Sequence, residues 1–294
     1  MNEINIDITG NNVRIHEWGN NDNPTIICLH GLGSTSLSFL ELGEALKNKY
    51  HIYSIDLPGH GETSTFESDE EYEIPNLVLW VDKVIKTLQK DSFFLLAHSW
   101  GGDITLHYAA RYPEKVIKLL LLDGGYYIKD RLYSIASNLY DEGKLKGRSS
   151  CSLEEEIEYY IKDFDEYVFD TWEDFIKVEK GAYMKWSPLK EVSSRDLMKK
   201  EDGKQKFRAS GNTARRAILS MSKNPTKEIW DNLSNNILLL QSTLPESWLN
   251  IRNTLSNEFR QETNAKVKKI DNTTHMLHWD KPEIIVKEII NWFK

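Results

Sequence analysis

The stretch FFLLAHSWGG, residues 93–102, ends an apolar run on a serine, Ser99, held between small residues. Ser and Gly are ordinary turn residues, so a simple turn is one reading. The pattern Ala97-His98-Ser99-Trp100-Gly101, small-x-Ser-x-small between a strand-like and a helix-like segment, favours a nucleophile. A turn sharp enough to lift a hydroxyl clear of a strand strains the serine backbone, and bulky side chains two residues either side would collide. A helix starting at Trp100 also directs its positive end toward developing negative charge. Two further segments carry compatible chemistry. His30-Gly31-Leu32-Gly33 follows an earlier apolar run, and its glycines let a backbone N–H turn into a site. THMLHWDKP, residues 274–282, supplies a late histidine, His275, with His278 three residues on.

Residues so far apart in sequence must be brought together by strands that end at one edge. INIDI and NVRIHEW read as a hairpin around Gly10-Asn11-Asn12. TIICLH (25–30), HIYSIDL (51–57), SFFLLAHS and VIKLLLLD (116–123) are short apolar runs of strand type. Residues 36–47, 75–89 and DITLHYAARY carry the helical period between them. Strands alternating with helices imply parallel pairing, and runs this apolar imply cover on both faces. From about residue 126 to 230 no strand stands out. The segment is acidic and aromatic, with a Ser152/Glu155 capping box leading Ile157, Tyr160, Ile161, Phe164 and Val168 at helical intervals. NILLLQS (236–242) and AKVKKI (265–270) then return as strands, and PEIIVKEIINWF closes as a helix.

Composition narrows the partners. The 294 residues carry a net charge of −8, which disfavours nucleic acid and anionic membrane. Forty per cent of residues are hydrophobic and 28% charged, an ordinary globular balance. Cys28 and Cys151 are far apart and show no metal-ligand spacing. The N-terminal MNEINIDITGNN lacks the basic and apolar regions of a signal peptide, so a cytoplasmic protein is the expectation.

Taken in order, these segments resemble the α/β-hydrolase superfamily over nearly the whole chain. LHGLGSTSLSF is similar to its oxyanion loop and DLPGHGETS (56–64) to the D-x-P-G-x-G-x-S turn of lid-bearing members. AHSWGG resembles the nucleophile elbow, with Ala97 where Gly is more usual, and HMLHWDKPE resembles the catalytic-histidine loop. The resemblance implies a mostly parallel sheet flanked by helices, formed by residues 1–125 and 231–294, with a helical cap inserted at 126–230. It implies Ser99 as nucleophile, His275 as general base, and the backbone N–H groups of Leu32 and Trp100 as oxyanion hole, on the His30-Gly31-Leu32-Gly33 loop and the elbow. His60, Asp56, His98 and His278 are expected to be structural.

The acid departs from the common pattern. Most relatives place it after the strand equivalent to NILLLQS, but here the residues read Ser242-Thr243-Leu244-Pro245, with Glu246 one position late. A minority, including some haloalkane dehalogenases, take it from the end of the strand after the elbow, which here is Asp123. A carboxylate ending an apolar strand wants a partner, and a histidine supplies one. Asp123 is therefore preferred, with Glu246 the alternative.

A serine at position 99 implies acyl-enzyme chemistry. Dehalogenase or epoxide hydrolase chemistry would require Asp there, and Leu32 stands where the dehalogenases' halide-binding Asn would be. The cap aromatics Tyr159, Tyr160, Phe164, Tyr167, Phe169, Trp172, Phe175, Tyr183 and Trp186 suggest an apolar pocket, although most should pack on the core. Glu154, Glu155, Glu156 and Asp163 read as a solvated face, and Arg208, Arg215 and Arg216 as weaker candidates for a substrate carboxylate. The expectation is a carboxylic-ester hydrolase for small or medium apolar esters, without metal or organic cofactor. The alternatives are an amide or peptide hydrolase of the proline-iminopeptidase type, or a ligand-binding receptor with little turnover. The oligomeric state is not legible.

Overall fold

A computed structural model describes residues 1–145, 150–234 and 236–294. The chain opens with the antiparallel hairpin β1 (Asn2–Ile8) and β2 (Asn11–Trp18), then β3 (Thr25–Leu29), α1 (Leu40–Leu46) and β4 (His51–Ile55). It continues through α2 (Ile74–Thr87), β5 (Phe93–His98), α3 (Trp100–Arg111) and β6 (Val116–Leu122). The segment before the next core strand holds α4 (Lys129–Asp141), α5 (Leu153–Asp165), β7 (Val168–Phe169), α6 (Trp172–Ala182) and α7 (Pro188–Asp196). It ends with β8 (Met198–Glu201), β9 (Lys204–Phe207) and α8 (Gly211–Lys223). β10 (Ile237–Ser242), α9 (Leu249–Thr263), β11 (Lys266–Ile270), α10 (Leu277–Asp280) and α11 (Pro282–Trp292) complete the chain.

Eight strands form one sheet in the order β1-β2-β4-β3-β5-β6-β10-β11, parallel except where β2 meets β1 and β4. Alternation along the central strands explains the two-sided cover. Ile27, Leu29, Leu95, Ala97, Leu119 and Leu121 face one way, into a core shared with Val78 and Val81 of α2 and Ile104 of α3. Ile26, Cys28, Phe94, Leu96, Leu120 and Leu122 face the other, against Leu42 and Leu46 of α1 and Ile285 and Ile289 of α11. Both faces are thus apolar, as the unbroken apolar runs required.

The parallel neighbours β3, β5, β6 and β10 all present their carboxyl ends at the same edge. Residues 126–230 leave this edge after β6 and return to β10, its direct neighbour, with Leu122 paired to Leu240. The expectation of an all-helical segment there is corrected: β7, β8 and β9 form a small antiparallel sheet in the order β7-β9-β8. Its strands are two to four residues long, rich in lysine, and tied by a tight turn at Asp202-Gly203, too short and polar to register as strand runs. Residues 36–47 also divide, into a 3-10 turn at Ser36–Phe39 and α1. No helix among the described residues is long and apolar enough to cross a membrane.

Candidate active site

Ser99 caps the N-terminus of α3 with φ 50° and ψ −123°, a conformation that L-residues rarely adopt. The fold imposes it through close packing on both sides. A Cβ on Gly101 would lie 2.4 Å from the Leu29 carbonyl oxygen, and one on Gly124 would lie 2.4 Å from the Ser99 oxygen and 2.5 Å from its nitrogen. Ala97, two residues before the serine, is completely buried. Small residues on either side of Ser99 are therefore steric requirements. Ser99 itself remains partly exposed, facing a cavity of about 280 Å³ that His275, Leu32 and Trp100 also line.

His275 follows β11 and presents Nδ1 to Asp123 Oδ2 at 2.9 Å. Asp123 directly follows β6 and is fully buried, with φ 46°. It also accepts from the Ser242 hydroxyl at 2.6 Å and the Ser242 N–H at 3.2 Å. The Tyr126 hydroxyl lies 2.9 Å from Asp123 Oδ1 and 2.8 Å from the Tyr127 hydroxyl. A phenol has one proton, so Tyr126 donates to the carboxylate while Tyr127 donates to Tyr126. Arg252 Nε stands 3.8 Å away. Burial pushes the Asp123 pKa up, but the His275 hydrogen bond, the attraction of His275 and Arg252 and the Ser242 hydroxyl together hold it below the usual carboxylate value. An anion is thereby kept beside the imidazole, which fixes the Nδ1–H tautomer and leaves Nε2 to take a proton.

The carboxylate that meets His275 is that of Asp123 rather than that of the alternative acid, Glu246. Glu246 is exposed on a 3-10 turn, Glu246–Trp248, whereas its neighbours Pro245 and Trp248 line the cavity. Ser242, at the end of β10, supports the carboxylate of β6 instead of being followed by one.

Three buried histidines brace this centre. His30 Nε2 accepts from the Leu57 N–H at 2.9 Å and its Nδ1 donates to the Gly31 carbonyl at 2.8 Å. His60 Nε2 accepts from the Gly33 N–H at 3.0 Å, and its Nδ1 faces the Pro58 carbonyl. Burial lowers the His30 pKa to about 4 and, with the neighbouring His30, that of His60 to about 3, so both rings are neutral with fixed tautomers. They hold the Gly31–Gly33 turn while leaving the intervening Leu32 beside the cavity. Trp100 is the first residue of α3, so its N–H has no carbonyl one turn back. His98 completes the set, its Nε2 2.9 Å from the His275 carbonyl oxygen. His278 is buried and stacked on Phe39, with its ring also beside that of His98. Asp56 accepts from the Ser36 N–H and from Arg14, which reaches on to Asp196 of α7 in a two-toothed pair.

The cavity is mostly apolar, with Leu32, Trp100, Leu132, Met221, Pro245 and Trp248 in its wall, but charged groups share the lining. Of the nine cap aromatics named from the sequence, Tyr160 alone lines it. Phe164 packs beside Leu32, whereas Tyr167, Phe169, Trp172 and Trp186 gather around Phe175 in a separate cluster. Glu154, Glu155 and Asp163 are exposed as read, but Glu156 turns inward and accepts from Lys129 Nζ at 2.6 Å. Arg215 and Arg216 are bound to Asp69, and Arg208 reaches Glu62, so these arginines fasten α8 and β9 to the loop after β4. Asp103, Lys129, Tyr127 and Arg252 line the cavity and were not singled out from sequence. Asp103 alone left a trace there, as an acid four residues after Ser99 in an otherwise apolar helix.

A parallel sheet with a strained serine elbow, and a histidine–aspartate pair at its carboxyl edge, defines a class that comparisons bear out. A family model described as alpha/beta hydrolase fold matches residues 24–282. The chain belongs to that family. An uncharacterized hydrolase of Bacillus subtilis is 30% identical over 195 residues, 59% of this chain and 71% of the relative. A serine hydrolase-like protein of Danio rerio is 30% identical over 137 residues, 47% of this chain and 42% of the relative, so less than half of that protein is spanned. Among solved structures, a thioesterase domain from the curacin biosynthetic pathway superimposes with a TM-score of 0.76 and 18% identity, covering 99% of each chain.

Proposed function

We propose that this chain is a serine hydrolase that cleaves carboxylic esters through an acyl-enzyme. The observation that carries the reading is the 2.9 Å contact between His275 Nδ1 and the buried Asp123 carboxylate, beside a cavity that Ser99 and His275 share. Family membership and the serine hydrolase-like relative support hydrolysis. Ser99 Oγ attacks the ester carbonyl as His275 Nε2 takes its proton, forming a C–O bond and a tetrahedral oxyanion. The Leu32 and Trp100 N–H groups stabilise that oxygen, and loss of one such donor typically costs about 10²–10³ in rate. His275 returns the proton to the departing alcohol. Water, deprotonated by the same imidazole, then attacks the acyl-enzyme and releases the acid and free Ser99.

Labelling with a fluorophosphonate, read by intact mass, tests this. One label per wild-type chain and none on Ser99→Ala is the expected result, together with a burst of p-nitrophenol from p-nitrophenyl butyrate. Folded wild-type protein that takes no label overturns the reading. Faster cleavage of the matched p-nitroanilide than of the ester would move it to amide hydrolysis.

A further inference from the structure

Asp103 lies one turn along α3 from Ser99, and its carboxyl group lines the cavity that Ser99 and His275 share. It is 5% exposed. Burial disfavours its charge, an effect that the attraction of Lys129 and the backbone of Asp103 and Gly125 partly offset. No cation is within ion-pair distance of Asp103 among the described residues, because Lys129 is committed to Glu156 at 2.6 Å. Glu156 accepts from the Tyr133 hydroxyl through its other oxygen. A helix N-terminus favours an acid in its first turn, but a solvent-facing acid would satisfy that preference without desolvation.

The charges around the cavity do not balance. Asp123 is offset by the adjacent Arg252, and Glu156 by Lys129. The Asp103 charge is left without a counterion. The two cations of the lining, Lys129 and Arg252, are thus engaged by Glu156 and Asp123, so a substrate carboxylate would add charge beside the unpaired Asp103, and an alkyl group would strip Asp103 of water without replacing it. An ammonium group supplies three donors and the missing charge.

We propose that the substrate of this hydrolase carries a protonated primary amine, seated between Asp103 and Glu156 while its carbonyl lies at Ser99. This rests on the serine-hydrolase reading of the same cavity and specifies its substrate class. Burial pushes the Asp103 pKa up to about 7, so measurements at pH 8 keep the carboxyl mostly ionised and an alkylamine protonated.

The test compares p-nitrophenyl 6-aminohexanoate, hexanoate and adipate monoester at pH 8. The amine ester is expected to exceed hexanoate by about tenfold or more in kcat/KM, with the adipate monoester slowest. Asp103→Asn should bring the amine-to-hexanoate ratio close to one, and Glu156→Gln should lower it, so either variant suffices if the other does not fold. Calorimetric titration of wild type with hexylammonium, hexanol and hexanoate reads the subsite without turnover; only hexylammonium should bind, and Asp103→Asn should abolish it. A preference for adipate, or an amine preference unchanged by both variants, overturns the proposal. Hydrolysis of hexanoate with no amine preference and no hexylammonium binding sinks this inference but leaves the hydrolase standing. Asp103-dependent hexylammonium binding to a protein that takes no fluorophosphonate has the opposite meaning.

Discussion

Asp123 combines a left-handed backbone, complete burial and a charge, three features that each cost free energy alone. They persist because His275, Ser242 and Tyr126 meet the carboxylate. Asp123→Asn should lower kcat by about 10⁴, since an amide can hold the wrong imidazole tautomer. Glu246→Gln should leave kcat within about twofold, because Glu246 is exposed beyond the cavity wall. Kinetics of both variants on one p-nitrophenyl ester decide between the two acids, and the reverse ranking would overturn the assignment. Ser242→Ala removes a 2.6 Å hydrogen bond to a buried anion. It should cost about 1.5–3 kcal/mol of stability, measured by urea unfolding. In the sequence Ser242 was visible only as the start of a four-residue stretch whose acid position is taken by Pro245. Its role depends on a carboxylate 119 residues away, reached through the pairing of β6 with β10.

At the level of elements, the elbow is held by backbone packed on backbone. Gly124→Ala would place a methyl 2.4–2.6 Å from three Ser99 backbone atoms, none of which can rotate aside. A loss of roughly 1–3 kcal/mol from overpacking is expected, with slower fluorophosphonate labelling as the elbow shifts. Gly181, within α6, is the contrasting case: nothing lies within 4 Å of an added Cβ. Gly181→Ala should raise stability by about 0.4–1 kcal/mol and leave labelling unchanged. Thermal unfolding of both variants checks the pair. The elements around the elbow were legible because apolar runs and helical periods are local signals; β8 and β9 were not, because two polar strands of four residues each draw their stability from the helices around them. The cavity lining was equally hidden. Lys129, Glu156 and Arg252 stand on three different helices, and no sequence spacing says which polar residue of a helix faces inward.

Over the whole molecule, the buried histidines set an acid limit. Burial lowers the pKa of His30 to about 4 and those of His60 and His278 to about 3, and holds His98 well below its ordinary value. Below about pH 6.5 the unfolded chain binds protons at these sites that the native chain refuses, so stability is intact above that pH and falls as the medium is acidified toward pH 4. Asp103 acts in the opposite sense over pH 4–7, since its raised pKa lets the native state hold a proton the unfolded chain has released. His16 and His107 are lowered by burial as well, so the histidines outweigh Asp103 and the balance is a net uptake of protons on unfolding near pH 5. Urea unfolding at pH 7, 6 and 5 should show this slope. His278→Leu should reduce it by about one proton, as both ring nitrogens of His278 lack partners among the described residues. A flat profile would show that the rings carry protons in the native state.

Taking the acid from the end of β6 also changes what the loop after β10 has to do. On the proposed mechanism residues 243–248 supply no acid, and Pro245 and Trp248 form cavity wall. In a sheet whose acid followed β10, a change in that loop would disturb catalysis and substrate fit together. Here residues 245–248 stand apart from that duty, which makes them a natural cassette for exchange: their side chains can be redesigned for new acyl or alcohol groups while Thr243 and Leu244, which hydrogen-bond Asn272 and Thr273 on the loop leading to His275, are kept.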